Sequence, residues 1–179
     1  LSAGADFAVF APEELRENAL NEALKTLPER FDLSLPAVMA EKTLELLYAW
    51  AQKNAGRIRK TLVSNVGQLG LAWPGEVCGD APLNIANNLS VQQLADWNIR
   101  EYTPSVELNR SQINDLGGDR QLIVYGRLTL MYLRHCPLRA AKGLKGMHKA
   151  CRRCDSASDH INDQTLTDRT GAQFPLRRI

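Results

Sequence analysis

Segments with the apolar spacing of helices alternate with strand-like segments along most of the chain, and this alternation limits the possible folds more than any other feature. Apolar residues recur at intervals of three and four over 11–27 and again over 40–54, which predicts two helices. Strand-like runs are predicted at 33–39, 58–66, 83–86, 100–106 and 121–125, with β-branched residues marking 58–66 and the most strand-like run at 121–125. Because strands that alternate with helices usually build a parallel sheet, we predict an α/β fold with mainly parallel strands.

Two shorter helices are predicted from the polar residues that would cap them. Ser90 is placed to cap a helix over 91–97, and Asn109 is placed to cap a second helix over 110–116, which Gly117 would end. With about four or five strands, the sheet is either open or part of a closed barrel. A complete eight-stranded barrel takes about 250 residues, so at most part of one fits in the 179 residues of this chain.

The sequence contains no pattern typical of a membrane span or a signal peptide. The apolar stretch 44–51 is much shorter than the roughly 20 residues that cross a bilayer, and acidic residues interrupt the N-terminus. We therefore expect a cytoplasmic protein without a membrane partner. Because the chain begins without a methionine and stops inside a strand-like run, we also expect it to be a fragment of a longer protein.

The net charge of +2 conceals a strong asymmetry along the chain. Residues 1–119 hold 10 Lys and Arg against 16 Asp and Glu, a net −6, whereas residues 120–179 hold 12 against 4, a net +8. Between Arg120 and Cys154 there are nine basic residues and no acidic one. Such a run favours a polyanionic partner such as nucleic acid, with a solvated basic loop as the alternative. The predicted contact residues are Lys142, Lys145, Lys149, Arg152 and Arg153.

Three of the four cysteines have the spacing of a metal site, Cys136-x14-Cys151-x2-Cys154. Two thiolates separated by two residues can turn onto one ion, and the third occupies another corner of a tetrahedron. Basic neighbours in general favour the thiolate form of cysteine, which is the form that binds metal. The spacing fits an iron–sulfur cluster or zinc without separating them, and unligated or redox thiols and disulfides are further alternatives. Candidates for the fourth ligand are Cys78, His148, His160 and a cysteine outside this chain.

Seven short motifs occur along the chain in the order in which a known family has them. They are Val-Gly-Gln-Leu-Gly at 66–70, Asp-Ala-Pro-Leu-Asn-Ile-Ala-Asn-Asn at 80–88, Ser-Val-Glu-Leu at 105–108, Val-Tyr-Gly-Arg at 124–127, Cys-Pro-Leu at 136–138, Cys-x2-Cys at 151–154 and Leu-Thr-Asp-Arg-Thr-Gly-Ala-Gln-Phe-Pro at 166–175. In these motifs the chain resembles the collagenase-like peptidase family (peptidase family U-thirty-two), and in particular the C-terminal barrel part of its long members.

The resemblance implies a partial TIM-barrel-like domain followed by an irregular segment that contains the cysteines. Residues 1–34 would be a linker or helix from a preceding or inserted domain, and residues 35–179 would be the C-terminal part of the barrel, whose N-terminal half lies outside this chain. The resemblance also implies an iron–sulfur cluster of the 4Fe-4S type on Cys136, Cys151 and Cys154, with a fourth ligand shortly beyond 174–175. Zinc is the alternative metal.

Members of the family that have been studied as enzymes hydroxylate RNA bases or ubiquinone precursors, while the family name preserves an older assignment as a protease. The resemblance therefore implies an iron–sulfur-dependent hydroxylase of ribosomal or transfer RNA, in which Asn84, Glu107 and Arg127 shape the catalytic pocket. A collagenase-like peptidase is one alternative, although the sequence lacks the usual protease motifs. A zinc-stabilised nucleic-acid-binding module without catalysis is another. Cys78, outside the three-cysteine motif, is predicted to be a buried small apolar residue.

Overall fold

The computed structural model describes residues 4–133, 136–141, 143 and 164–176. The chain divides into two compact units, Leu1–Arg127 and Leu128–Ile179. The first unit contains a six-stranded sheet of β1 (Val9–Phe10), β2 (Phe31–Ser34), β3 (Ile58–Val63), β4 (Glu76–Gly79), β5 (Glu101–Tyr102) and β6 (Asp119–Arg120). Neighbouring strands are all parallel, and their order in the sheet is their order in the chain. The prediction of an α/β fold with a mainly parallel sheet is confirmed.

Helices occupy four of the connections between these strands. They are α1 (Glu17–Thr26), α2 (Glu41–Lys53), α3 (Asn88–Asp96) and α4 (Arg110–Asn114), and a short 3₁₀ helix over Val66–Gly70 follows β3. All four predicted helices are present, although α1 begins six residues later than predicted because Arg16 is still extended. The predicted cap of α4 is confirmed, because the side chains of Asn109 and Gln112 each accept a hydrogen bond from the backbone N–H of the other. The predicted cap of α3 is wrong, since Asn87 caps this helix and accepts the N–H of Ser90.

Two strand predictions are wrong for a common physical reason. The run 121–125 is the most strand-like in the sequence, yet β6 ends at Arg120, and after the backbone hydrogen bond from Gln121 to the Tyr102 carbonyl the run forms no strand. The run 83–86 contributes a single bridge, between Ile85 and Pro104. A strand needs a neighbouring backbone to accept its hydrogen bonds, and β-propensity alone does not provide one. Conversely, the four-residue β4 was not predicted, because its short sequence combines Glu76, Cys78 and Gly79 and carries little propensity signal.

The predicted domain boundary at residue 34 falls at the last residue of β2, inside the sheet. Strand β1 pairs in parallel with β2, with Val9 opposite Asp32, and β2 pairs in turn with β3. Residues 9–34 therefore contribute two strands and a helix to the same unit as the rest of the sheet. The two compact units of the chain meet after Arg127.

The two faces of the sheet differ sharply in chemistry. On one face, alternate strand residues such as Phe31, Leu33 and Tyr102 pack with residues from the helices in a single hydrophobic core. The helix residues in that core include Leu20 of α1 and Leu47 of α2. Because side chains alternate between faces along a strand, the residues between these point to the other face.

Arg57 ties the end of α1 to the start of β3. Its guanidinium donates hydrogen bonds to the backbone carbonyls of Leu24, Leu27, Pro28 and Glu29, at distances from 2.9 to 3.3 Å. The last carbonyls of a helix have no partner within the helix and carry a partial negative charge. The cation therefore satisfies the carboxyl end of α1 and fixes the turn into β2.

The described part of the second unit contains α5 (Pro137–Ala141) and an antiparallel hairpin of β7 (Thr165–Thr167) and β8 (Gln173–Pro175). Asp168 organises the turn of this hairpin by accepting the N–H groups of Thr170 and Ala172. The hydroxyl of Thr170 also donates a hydrogen bond to Asp168, at 2.7 Å. This side-chain hydrogen bond has the largest effect in lowering the pKa of Asp168, and the backbone hydrogen bonds lower it further. Among the described helices, none has the length and hydropathy needed to cross a membrane.

Candidate functional site

The pairing register of the strands places a set of polar side chains on the sheet face opposite the helices. Pairing aligns Asp32 with Lys60 and Lys60 with Glu76 in one row across β2, β3 and β4. The next row aligns Ser34, Leu62 and Cys78, and Glu101 of β5 lies beside it. We call this surface the polar face, defined by Asp32, Ser34, Lys60, Leu62, Glu76, Cys78 and Glu101. Neither Leu62 nor Cys78 belongs to the core on the helical side, which agrees with this assignment.

The centre of the polar face is the largely covered ammonium group of Lys60, which lies between two carboxylates. The Lys60 side chain is 13% exposed and donates a hydrogen bond to Glu101, which is 19% exposed, while the Glu76 carboxylate lies 4.0 Å from Lys60 Nζ. Gln121 donates a further hydrogen bond to Glu101. Burial acts to lower the pKa of Lys60, but the hydrogen bond to Glu101 and the surrounding negative charges outweigh it, so the net pKa is raised. Lys60 is therefore held in its charged form.

A second ion pair lies at the other end of the same row. Arg59 donates two hydrogen bonds to Asp32, from Nε at 2.9 Å and from a terminal nitrogen at 2.5 Å, and Asp32 is almost fully buried. The same guanidinium lies 3.4 Å from the centre of the Phe7 ring, a cation–π contact. The two hydrogen bonds from one guanidinium neutralise the charge of the buried Asp32 carboxylate. The ion pair with Arg59 therefore explains the burial of Asp32 without a bound ligand.

Glu76, Cys78 and Glu101 form a group that could bind a metal ion, since their ligand atoms all lie within 4.8 Å of one another. Two features of the group oppose a metal. Lys60 Nζ already places a positive charge between the carboxylates. Burial, reinforced by Glu101, raises the pKa of the Cys78 thiol to about 12, so the sulfur is protonated near neutral pH, and the thiolate is the form that binds metal. Cys78 is 1% exposed, which confirms its prediction as a buried residue.

We expect Cys78 to make the protein less stable at alkaline pH. An unfolded thiol loses its proton near its ordinary pKa of 9.0, whereas the folded thiol keeps it to about 12. Between these values the unfolded chain binds fewer protons, so the free energy of unfolding falls as pH rises. Urea unfolding of the Cys78→Ala variant should show a shallower fall than wild type in this window, and the two curves should run parallel from about pH 6 to 8. Equal slopes across the alkaline window would contradict this prediction.

At the carboxyl edge of the sheet, three polar side chains from three successive strands meet. Ser34 ends β2, Ser64 follows β3, and Asp80 follows β4. One oxygen of Asp80, Oδ2, accepts hydrogen bonds from Ser34 Oγ at 2.8 Å and Ser64 Oγ at 3.2 Å. The other, Oδ1, accepts the N–H of Ala81 at 2.7 Å. We call Ser34, Ser64 and Asp80 the carboxyl-edge cluster; ligands of α/β proteins bind at this edge of a parallel sheet.

The three residues predicted to shape a pocket are all exposed, and their catalytic roles stay predictions. Asn84 adopts a left-handed backbone conformation, with φ 56°, after the 3₁₀ turn that follows β4. Glu107 lies in the loop after β5, where its N–H donates to Ser105 Oγ at 3.3 Å. Arg127 is the last residue of the first unit. Among these, Asn84 and Glu107 lie in loops that leave the carboxyl edge.

One of the three predicted cluster ligands lies within the described residues. Cys136 is a half-buried free thiol directly before α5, and its carbonyl accepts the N–H of Ala140 at 3.2 Å. The remaining predicted ligands and the predicted nucleic-acid contacts lie outside the described residues. They are Cys151, Cys154, Lys142, Lys145, Lys149, Arg152 and Arg153.

Sequence reasoning missed the carboxyl-edge cluster and the ion pairs of the polar face. Asp80 occurs in one of the family-like motifs, in which only Asn84 is predicted to contribute to a pocket. The sequence carried little signal for this cluster, because the strand before Asp80 was not predicted and Ser34 and Ser64 lie inside the predicted runs 33–39 and 58–66. The charged Lys60 and Glu76 carried no such signal, because an isolated charge in a strand is normally exposed.

Neither family models, curated proteins nor solved structures include a match to this chain. The candidate site therefore rests on its own geometry.

Proposed function

We propose that this chain is the C-terminal part of a barrel enzyme of the collagenase-like peptidase family, an iron–sulfur-dependent hydroxylase that modifies RNA. The observation that carries the proposal is the sheet itself. Six parallel strands follow one another in chain order, and polar side chains collect on one face and at the carboxyl edge. Barrel enzymes place their chemistry at this edge.

Strand order and burial support a barrel over an open doubly wound sheet. In a doubly wound sheet the strand order reverses at a switch point and helices cover both faces. Here the order never reverses among the described strands, and the helical core lies on one face. On the opposite face Asp32 is 3% and Cys78 is 1% exposed. A sheet curled around this face, as in a barrel interior, accounts for their burial.

The cluster would be held by Cys136, Cys151 and Cys154. The chemistry of this donor set fits, because three thiolates are the ligand type that iron–sulfur clusters use. The described thiol, Cys136, is free and half-buried, as a ligand at the edge of a metal site would be. A bound cluster supplies one-electron transfer. It would not involve Cys78, whose buried thiol stays protonated.

In the proposed reaction the enzyme converts a C–H bond of an RNA base into C–OH. This is a two-electron oxidation, so it requires an external two-electron oxidant that also donates the oxygen atom, such as a peroxide, which is reduced to water as the C–H bond becomes C–OH. Asn84 and Glu107 would contribute to substrate binding, and their position in loops at the carboxyl edge supports this role. Arg127 is proposed to hold a phosphate or carboxylate in a bidentate contact. The basic run from Arg120 to Cys154 would hold the phosphates of the RNA.

RNA affinity is expected to fall steeply with salt. Each Lys or Arg that neutralises a phosphate of a single strand contributes a slope of about −0.7 in log affinity against log salt. If four to six of the residues between Arg120 and Cys154 contact phosphate, the slope should be roughly −3 to −4. A salt titration of RNA binding measures it. The triple variant Lys142→Glu, Lys145→Glu and Lys149→Glu should flatten the slope and weaken binding to all sequences alike.

The matched control for this experiment reverses three lysines outside the basic run. Lys25, Lys42 and Lys53 lie on α1 and α2, and their reversal to Glu changes the net charge by the same amount. This control should leave the slope close to that of wild type. A wild-type slope near zero, or equal effects of the two triple variants, would leave a solvated basic loop as the better interpretation.

A further inference from the structure

We propose that residues 119–127, which we call the edge run, pair in antiparallel orientation with the same residues of a second copy of this chain, about a two-fold axis at Ile123. The inference goes beyond the proposed function, because it concerns an interaction surface and not the modification of RNA. It follows from an open sheet edge, a row of exposed apolar side chains and a sequence that is complementary to its own reverse.

The edge run begins at β6, which is the last strand of the sheet. Among the described strands β6 pairs only with β5, so its other side is open. Asp119 and Gln121 donate their backbone N–H groups toward β5. Because successive N–H groups of a strand point to opposite sides, that of Arg120 points to the open side, and a strand continued past Gln121 would present those of Leu122 and Val124 there as well. An open edge of this kind is a template for pairing with another chain.

Four consecutive large apolar residues follow β6 and are exposed. Leu122 is 56%, Ile123 49%, Val124 92% and Tyr125 97% exposed. Such a run is normally buried unless it serves an interaction. The same residues have the most strand-like sequence of the chain, yet they form no strand in the structure, and a strand needs a neighbouring backbone to pair with. A second copy would supply that backbone.

The sequence of the edge run, Asp-Arg-Gln-Leu-Ile-Val-Tyr-Gly-Arg, is complementary to its own reverse. Antiparallel pairing centred on Ile123 sets Asp119 opposite the partner's Arg127. It also sets Leu122 opposite the partner's Val124, so that residues whose backbone groups face the open side exchange hydrogen bonds across the axis. Both pairs occur twice, because a two-fold interface is isologous. Within the edge run, moving the centre by one residue in either direction sets no acidic residue opposite a basic one.

The charges at the two ends of the edge run are available for this contact. Asp119 and Arg127 are exposed, and neither belongs to an ion pair within the part of the chain that the structure describes. Opposite charges directly across antiparallel strands stabilise the pairing, and like charges destabilise it. The two charges therefore select one register and favour a second copy over a neutral strand. In this dimer Arg127 holds a carboxylate, that of the partner's Asp119.

Two other occupants of this edge would give different states of association. A strand from a longer chain, as in a completed barrel, would leave this chain monomeric, and it does not account for the self-complementary charges. Strand β1 of another copy would join two different surfaces, so it would give rings or filaments of several copies instead of a dimer.

Sedimentation velocity of the full 179-residue chain over a concentration series distinguishes these states. The wild type should form a dimer that dissociates in the micromolar range, since a short edge buries less surface than the roughly 1,200–2,000 Å² of a stable interface. No RNA is present, so the outcome does not depend on the proposed function. A monomer throughout the series would overturn the proposal, and so would species larger than a dimer.

Val124→Pro tests the backbone pairing, because proline lacks the N–H that the partner's Leu122 would accept. The two-fold axis doubles the loss, so the dimer should weaken about tenfold, the effect of two hydrogen bonds of ordinary strength. Val124→Thr keeps the N–H and is the matched control, which should dimerise like wild type. The Val124 side chain is 92% exposed, so neither variant should disturb the fold, and circular dichroism checks this. Unchanged dimerisation of Val124→Pro would overturn the proposal.

Charge exchange tests the register. Asp119→Arg and Arg127→Asp each place like charges opposite each other twice, so each variant alone should dimerise more weakly than wild type. An equal mixture of the two should form a heterodimer, and the double variant should regain the wild-type association. Asp96→Arg, an equal charge change at an exposed residue of α3, is the matched control and should dimerise like wild type. Single variants that associate like wild type, or a mixture that forms no heterodimer, would overturn the proposal.

Discussion

Anaerobic reconstitution with iron and sulfide of a chain extended past Ile179, which would include the expected fourth ligand, should give a bound cluster with broad visible absorbance, and Cys151→Ala or Cys154→Ala should abolish it. Clusters of this type are held by four cysteine thiolates, so the loss of one of them removes a ligand that the cluster needs. Cys136→Ala should have the same effect. Iron and sulfide analysis of the reconstituted variants measures the result.

The matched control is Cys78→Ala, which removes the remaining cysteine of the chain. It should retain the cluster, because the Cys78 thiol is buried beside Glu101 and its pKa is raised to about 12. Stoichiometric zinc without iron in the wild type would contradict the cluster and favour the zinc-stabilised binding module. Loss of the cluster in Cys78→Ala would show that the ligand set is different from Cys136, Cys151 and Cys154.

Lys60→Met is expected to destabilise the first unit by about 2 kcal/mol, between the ranges for breaking an exposed and a fully buried ion pair. The substitution keeps most of the side-chain volume but leaves Glu101, which is 19% exposed, without its cation. Urea unfolding followed by circular dichroism measures the loss. The exposed Lys42 of α2 provides the matched control, since Lys42→Met should change the free energy of unfolding by less than about 0.5 kcal/mol.

A compensating change separates the electrostatic cause from a packing cause. Replacing Glu101 by Met in the Lys60→Met background removes the uncompensated carboxylate and should recover much of the lost stability. A Lys60→Met variant as stable as wild type would contradict the paired arrangement of the polar face. So would a double variant that is less stable than Lys60→Met alone.

Helices were the most predictable part of the fold, because their signals are local. The apolar spacing over 40–54 found α2 to within a residue at each end, and Asn109 with Gln112 formed the expected capping box. Strand β4 could not be found in the same way. Its place in the sheet depends on pairing with β3, thirteen or more residues earlier, and no local signal reports such a partner.

The polar face was unpredictable for a related reason. Lys60 and Glu101 are separated by 41 positions, and each alone is a charged residue that is normally exposed. Only the parallel register brings them together and buries them. The position of Asp80 was easier to predict, because polar residues that follow the strands of a parallel sheet meet at one edge. Its hydrogen-bond partners, Ser34 and Ser64, carry no distinctive sequence signal.

The proposed hydroxylation is tested most directly by mass spectrometry of nucleosides from the RNA of cells that lack the gene. One base that is heavier by a single oxygen atom should disappear from the RNA of the deletion strain. It should return when the wild-type gene is restored, and it should not return with Cys154→Ala. A nucleoside profile that is unchanged by the deletion would contradict an RNA hydroxylase, whatever metal the protein binds.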